Sequence, residues 1–347
     1  MTAPPKKRIL ICGAGGFIGT HLGRRLAQDG HAVVGVDLRL PEFSTSDLDD
    51  FVVHDLRDAR TVQAIMARGF DEVYQLAADM GGAGYIFSGH HDAEIMCNSA
   101  MINLNVLRAC CSCGVAKIFF ASSACVYPLY RQQSTVHPHC AETDAYPAAP
   151  DSEYGWEKLF AERLYLAFAR TRSIDVRIAR FHNVFGPENT WRGGREKAPA
   201  AICRKVAETP DGGEIEVWGD GEQTRSFLYI DECIVGVLRL MSSSVREPIN
   251  IGSSEMVSIN QLVRMTMEIA GKQLRIQHIA GPQGVRGRTS DNRLIERALG
   301  WRPSAPLRVG LERTYRWVRD QVAATGHSSR PSLPATPPVL ASGHDCR

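Results

Sequence analysis

The chain has 347 residues, 44% of them hydrophobic and 22% charged, with a formal net charge of +2. That length can bury a large core in two lobes, and the near-neutral balance gives no footing for nucleic acid or a charged membrane surface. No apolar run is long enough to cross a bilayer. Lys6, Lys7 and Arg8 imitate the start of an export signal, but glycines break the apolar run behind them. Export is therefore rejected, and a cytoplasmic location is expected. Ten scattered cysteines lack metal-ligand spacing and read as reduced thiols filling the core, with no metal site.

Arg8-Ile9-Leu10-Ile11-Cys12 reads as a buried strand. Gly13-Ala14-Gly15-Gly16-Phe17-Ile18-Gly19 follows, then an amphipathic helix through Leu22 and Leu26. Small residues at that turn let the backbone approach a pyrophosphate, and the helix N-terminus offers N–H groups to it. The next strand, Ala32-Val33-Val34-Gly35-Val36-Asp37, ends on an acid roughly 20 residues past the glycines, where a carboxylate binds ribose hydroxyls. Asp37 favours NAD over NADP, although Arg39 could meet a 2′-phosphate. Asp55 reads either as a contact on the adenine side or as a helix cap.

Strands at residues 71–77, 118–121 and 175–180 alternate with helices at 98–113 and 153–170. Such alternation predicts an α/β fold with a doubly wound parallel sheet, the Rossmann arrangement, whose ligands bind beyond the strands' carboxyl ends. From Asn183 the chain is richer in Gly, Arg and Pro, with shorter elements, as in a smaller C-terminal α/β substrate lobe. The expected division is an NAD-binding domain over 1–182 and a substrate lobe over 183–325. Segments near 228–252 (a helix over 230–241 and a strand over 248–251) return to the first domain. The Ser/Pro-rich residues 326–347 read as a disordered tail.

Two short segments carry the chemistry. Ser122-Ser123-Ala124-Cys125 follows an apolar strand, and Tyr154-Gly155-Trp156-Glu157-Lys158 opens a helix with Asp151 or Ser152 as N-cap. Tyr154 and Lys158, four residues apart, share a helical face, where an ammonium would lower the phenol pKa. Ser123 could hold an alcohol against that phenol while a hydride leaves its carbon. Taken singly, a Tyr-x-x-x-Lys pair is a chance spacing, Cys125 a buried thiol, Lys197 a solvated lysine and His182 a structural histidine. The upstream glycine run gives the first of these its weight.

The glycine run, Asp37 and Tyr154/Lys158 resemble the extended short-chain dehydrogenase/reductases that act on nucleotide sugars. Ala78-Asp79-Met80-Gly81-Gly82, Ser122-Ser123-Ala124-Cys125-Val126-Tyr127-Pro128 and Gly193-Gly194-Arg195-Glu196-Lys197-Ala198-Pro199 narrow the resemblance. With Trp218-Gly219-Asp220-Gly221-Glu222-Gln223-Thr224-Arg225-Ser226 and Gly284-Val285-Arg286-Gly287-Arg288, the set is similar to the GDP-mannose 3,5-epimerase family over residues 7–320. Within residues 85–90 the chain departs from that pattern, with Phe87 and Gly89 in place of Gln and Asn.

The resemblance implies NAD-dependent epimerisation of GDP-mannose at C5, alone or together with C3, through a 4-keto sugar. The products would be GDP-L-gulose or GDP-L-galactose. Oxidation at C4 makes the C3 and C5 hydrogens α to a carbonyl, so an acid and a base can invert them. The catalytic set implied is Ser123, Cys125, Tyr154, Lys158 and Lys197, with Cys125 and Lys197 as the acid–base pair in unassigned order. Cofactor contacts are Gly13, Gly16, Phe17, Ile18, Gly19, Asp37, Asp55, Tyr154 and Lys158. Substrate contacts are Gly82, Ser123, Ala124, Cys125, Asn183, Glu196, Lys197, Ala198, Lys205, Gln223, Arg225 and Arg288, the arginines suiting the diphosphate. Arg204 and Arg286 are assigned to packing or solvation. A homodimer is implied as well. A 4,6-dehydratase or reductase shares the Tyr/Lys chemistry, but a dehydratase carries Asp-Glu where Ala124-Cys125 stands. A non-catalytic NAD-binding regulator is opposed by the intact Ser123, Tyr154 and Lys158.

Overall fold

The computed structural model describes residues 5–326 apart from 137, 282 and 283. The expected disordered tail lies outside the described residues, except that residue 326 ends the last helix. The first half alternates strand and helix: β1 (Arg8–Cys12), α1 (Phe17–Gln28), β2 (Ala32–Asp37), β3 (Asp50–Val53), α2 (Ala59–Met66) and β4 (Glu72–Gln75). There follow α3 (Ala83–Ile86), α4 (Asp92–Ser112), β5 (Lys117–Ser123), β6 (His139–Cys140), α5 (Glu153–Thr171) and β7 (Asp175–Phe181). The second half holds β8 (Val184–Phe185), α6 (Ala198–Glu208), β9 (Glu214–Trp218), β10 (Thr224–Ser226), β11 (Leu228–Tyr229), α7 (Ile230–Ser242) and β12 (Ile249–Ile251). It closes with β13 (Met256–Ser258), α8 (Ile259–Ala270), β14 (Arg275–Ile279), β15 (Gly287–Ser290), α9 (Arg293–Leu299) and α10 (Leu307–Gly326).

Seven strands form one parallel sheet in the order β12-β7-β5-β4-β1-β2-β3. β1 is buried on both faces, as central parallel strands are. Ile9 and Ile11 pack with Leu22, Leu26 and Val237 of α1 and α7, while Leu10 and Cys12 pack with Val62, Val106 and Tyr165 on the opposite side. From β1 the chain winds outward through β2, then returns to β4 on the other flank, so the strand order reverses between β1 and β4. Such a reversal opens a crevice beyond the strands' carboxyl ends.

β12 pairs in parallel with β7, Ile249 opposite Ala179, so a segment distant in sequence completes the main sheet. Smaller sheets, β13-β10-β15-β6 and β9-β14, pack with α6, α8 and α10 around Trp191, Ile202, Leu262 and Leu311. Two of the boundaries that differ from the pattern reading bear on the site. α4 begins at Asp92 rather than residue 98, with Asp92 and Glu94 placed favourably in its first turn. β5 runs on to Ser123, which places that hydroxyl at the strand's end.

Candidate active site

The glycine segment turns tightly between β1 and α1. Gly13 has φ +86, and a Cβ on Gly19 would stand 2.0 Å from the Gly13 carbonyl, so both positions require glycine. Gly16 supplies no side-chain cap, which leaves the first-turn N–H groups of α1 bare beside Gly13, Phe17 and Ile18 at the cleft wall. Asp37 closes the far side, accepting from Gly15 N at 3.0 Å and Leu38 N at 2.6 Å. Burial raises its carboxyl pKa, opposed by these amides. A bare helix N-terminus facing a buried carboxylate fits the diphosphate and ribose of a dinucleotide. Asp55 lies on the same wall, bound to Arg57 Nη2 at 2.6 Å. The helix-cap reading of Asp55 is corrected: Asp58 caps α2, accepting from Arg60 N, because it directly precedes the first helical residue.

All of these line one cleft of about 1200 Å³, and so do Ser123, Ala124, Cys125, Tyr154 and Lys158. Ser152 caps α5, accepting from Gly155 N, which sets Tyr154 and Lys158 in the first turns. A buried ion pair ties this helix to the sheet. Glu162 of α5 accepts from Arg180 Nε (2.9 Å) and Nη2 (2.7 Å) of β7, and from Ser122 Oγ (2.6 Å) of β5. Ser123 therefore follows a residue already bonded to the helix that carries Tyr154. Lys158 Nζ lies 5.7 Å from the Tyr154 ring centroid and 5.0 Å from that of Phe120.

The expected lowering of the Tyr154 pKa is reversed. Burial pushes the phenol well above its ordinary value, Cys125 and Glu157 add to this, and only Ser123 and Arg288 pull it down. Burial also lowers the Lys158 pKa, with Glu157 opposing from 3.9 Å. Desolvation outweighs the attraction that the i, i+4 spacing implied.

Cys125 follows β5 in a 3₁₀ turn, its amide donating to Ser123 Oγ at 3.2 Å. Arg288 Nη1 stands 3.3 Å from its sulfur, although the two residues are 163 positions apart. The same guanidinium donates to Gln132 Oε1 and lies 3.5 Å from Asp151 Oδ2. Lys197 precedes α6 as its N-cap and also lines the cleft. Burial lowers its pKa, while Cys125 and Cys233 oppose that.

The remaining predicted contacts Gly82, Asn183, Glu196, Ala198, Lys205, Gln223 and Arg225 line this cleft too. Several already hold the lobe together. Asn183, at φ +43, donates to Ser226 O at 2.9 Å, Lys205 to Glu216 O at 2.7 Å, and Gln223 Nε2 to Trp218 O at 3.2 Å. Gln223 Oε1 is buried with no partner among the described residues. Burial and Arg288 lower the Arg225 pKa to about 9. Arg204 reaches Glu196 at 3.2 Å and Arg286 reaches Asp220 at 3.0 Å. His182 is fully buried against Asn250 Oδ1 at 3.0 Å, outside the cleft lining. The sequence reading missed Asp151, Gln132 and Glu157 as neighbours of the reacting groups. Only for Glu157, adjacent to Lys158, did a local signal exist.

The fold and this cleft define a dinucleotide-binding enzyme with a Ser-Tyr-Lys set placed to oxidise an alcohol, and comparison with known proteins names the class. Residues 9–252 match the NAD dependent epimerase/dehydratase family, and the chain belongs to it. NAD is its cofactor. Within that class the chain is 49% identical over 317 residues to the GDP-mannose 3,5-epimerase of Arabidopsis thaliana, covering 91% of this chain and 83% of that protein. Among solved structures, the UDP-glucose 4-epimerase of Thermotoga maritima with UDP-glucose superposes with a TM-score of 0.80 at 26% identity, over 91% of this chain and 99% of that one. MoeE5 in complex with UDP-glucuronic acid and NAD gives a TM-score of 0.75 at 30% identity, over 90% and 99%.

Proposed function

We infer that the protein epimerises GDP-mannose, inverting C5 alone or C3 and C5 together through a 4-keto sugar, to GDP-L-gulose or GDP-L-galactose. One observation carries this reading: an alcohol-oxidising trio, Ser123, Tyr154 and Lys158, shares a cleft with a second proton-transfer pair, Cys125 and Lys197. The Gly13–Gly19 turn and Asp37 would hold NAD, which would supply a reversible hydride acceptor for C4. Tyr154, as phenolate, takes the C4 hydroxyl proton and gives it back when C4 is reduced, Ser123 orients that hydroxyl, and the Lys158 ammonium stabilises the phenolate against the burial that favours the phenol. The two remaining groups come from different lobes, Cys125 from the turn after β5 and Lys197 from the loop before α6. One takes the proton α to the ketone and the other supplies its replacement. Burial lowers the Lys197 pKa, which makes its proton easier to give up than that of a solvated lysine. Arg288 and Arg225 supply cations for the diphosphate.

Incubating the pure protein with GDP-mannose and no added NAD should give GDP-L-gulose or GDP-L-galactose on sugar separation. A 4-keto-6-deoxy product, or reduced cofactor accumulating in step with product, rules this reading out.

Homodimerisation through α4 and α5 belongs to the same proposal. These helices pack side by side and expose Met101 (43%), Leu104 (37%), Trp156 (41%) and Phe160 (47%). Sedimentation at a single-chain mass would exclude it. A cytoplasmic location is supported by nine unpaired cysteines among the described residues, which suit a reducing compartment. Among those residues no helix is long and apolar enough to cross a membrane. Recovery with the membrane or secreted fraction would refute that location.

A further inference from the structure

The Lys197 ammonium makes no hydrogen bond among the described residues, so the backbone that carries it sets its position. Upstream, two glycines leave that backbone without side-chain packing of its own. Gly193 and Gly194 have φ +92 and +85, with nothing within 4 Å of where a Cβ would stand. Glu196 ties the loop only to itself and to α6, through Gly194 N at 2.6 Å and Arg204 Nη2 at 3.2 Å. The anchor to the other lobe is Arg195. Its carbonyl accepts from Gly82 N at 3.0 Å, and its guanidinium carbon sits 3.9 Å from the centroid of the Tyr85 ring.

Tyr85 is itself held from three directions. His91 stacks on the ring at 4.2 Å, and the hydroxyl donates to Asp79 Oδ1 at 2.9 Å. Asp79 is fixed in turn by Asn98 Nδ2 at 2.9 Å, and its amide donates to Ser99 Oγ at 3.1 Å. Asn98 Oδ1 accepts from Arg57 Nη1 at 2.8 Å, so the chain of contacts ends beside Asp55 on the cofactor wall. Tyr85 is 8% exposed and does not line the cleft, whereas Arg195 does. A cation over an aromatic face, with that ring pinned by a carboxylate, holds direction as well as distance.

We propose that Tyr85, pinned by Asp79, is a positioning residue: it clamps Arg195 across the lobes and so fixes where Lys197 stands against the sugar carbon. Tyr85 shares a buried cluster with Ile86, Ile95 and Tyr154, but its hydroxyl bonds Asp79 and not Ser123, Tyr154 or Lys158, so loss of that bond acts on proton exchange more than on hydride transfer. This deepens the epimerase reading and rests on it for the identity of the sugar.

The test uses the full-length holoenzyme with Tyr85→Phe, which keeps the ring under Arg195 and loses the Asp79 bond, and Tyr85→Leu, which loses both. Two rates are followed on mixing with GDP-mannose in D₂O: absorbance of the reduced cofactor, and deuterium appearing at C5. Deuterium incorporation should fall about tenfold in the Phe variant and about a hundredfold in the Leu variant. In the Phe variant, which keeps the ring in the cluster that contains Tyr154, the rate of cofactor reduction and the affinity for GDP should stay within about twofold, because misplacing one group leaves the other step's geometry intact. Equal loss of both rates in that variant, or loss of neither, overturns the proposal. Amide exchange over residues 193–197 gives a readout that needs no turnover. Faster exchange in Tyr85→Leu supports the clamp even if GDP-mannose proves to be the wrong sugar, and unchanged protection removes it whatever the sugar.

Discussion

Glu157→Gln probes the electrostatics of the oxidising trio. Glu157 is fully buried, one oxygen accepting from Asn103 Nδ2 at 3.0 Å, the other unpartnered and 3.9 Å from Lys158 Nζ. Asn103 is locked in turn, its oxygen accepting from Gln75 Nε2 at 3.0 Å and Tyr165 Oη at 3.2 Å. Glutamine has the same shape and can keep the Asn103 bond, so the substitution removes the charge and little else. Two unit charges at this separation attract by about 4 kcal/mol at an effective dielectric constant near 20. That corresponds to roughly a thousandfold in the proton affinity of the ammonium, an upper bound because burial also raises the Glu157 carboxyl pKa. The sign follows from geometry. Glu157 holds the proton on Lys158 against desolvation, so removing its charge lets Lys158 lose that proton at lower pH. The alkaline limb of kcat/KM against pH should move toward acid by more than about one unit, with little change below it. The assay is a pH–rate profile of the folded variant beside the wild type. An alkaline limb that stays in place, or moves to higher pH, would refute the reasoning.

Removing Cys125 or Lys197 should separate oxidation from epimerisation. Cys125→Ala and Lys197→Ala should each still reduce bound cofactor with GDP-mannose yet lose inversion by about 10²–10⁴-fold. A variant lacking only the base should show no deuterium exchange, while one lacking only the acid can return the proton to its original face; wild-type epimerisation by both would strip the pair of its role. His182 should make stability pH-dependent. Burial lowers its pKa to about 3 against an ordinary value of 6.5, so the unfolded state binds the proton first as pH falls. Its contribution is present in full above about pH 6.5 and is lost by about 1.4 kcal/mol per unit as pH falls toward 3. Denaturant unfolding at several pH values should show that slope reduced in His182→Gln, and an equal slope in both proteins would count against it.

What could be read from the chain was chemistry held within one turn or one strand. The Gly13–Gly19 run, the acid at the end of the next strand and the Tyr154/Lys158 spacing are local patterns, and local backbone geometry is enough to give them meaning. Periodicity likewise marked six strands of the seven-stranded sheet and the helices α1, α4, α5 and α7, though it missed β3, α2, the polar first turn of α4 and the short elements of the second half beyond α7 and β12. Neighbourhood across long separations was not legible. Arg288 reaches Cys125 from 163 residues away, Glu162 bonds Arg180 across helix and sheet, and Arg195 meets Tyr85 from the loop before α6. No spacing rule encodes such contacts, because they follow from how the sheet and the second lobe pack. The direction of the Tyr154 pKa was misread for the same reason. A lysine four residues along the helix is visible in the sequence, whereas the loss of water around the phenol exists only once α5 is packed against the sheet, and there desolvation is the larger effect.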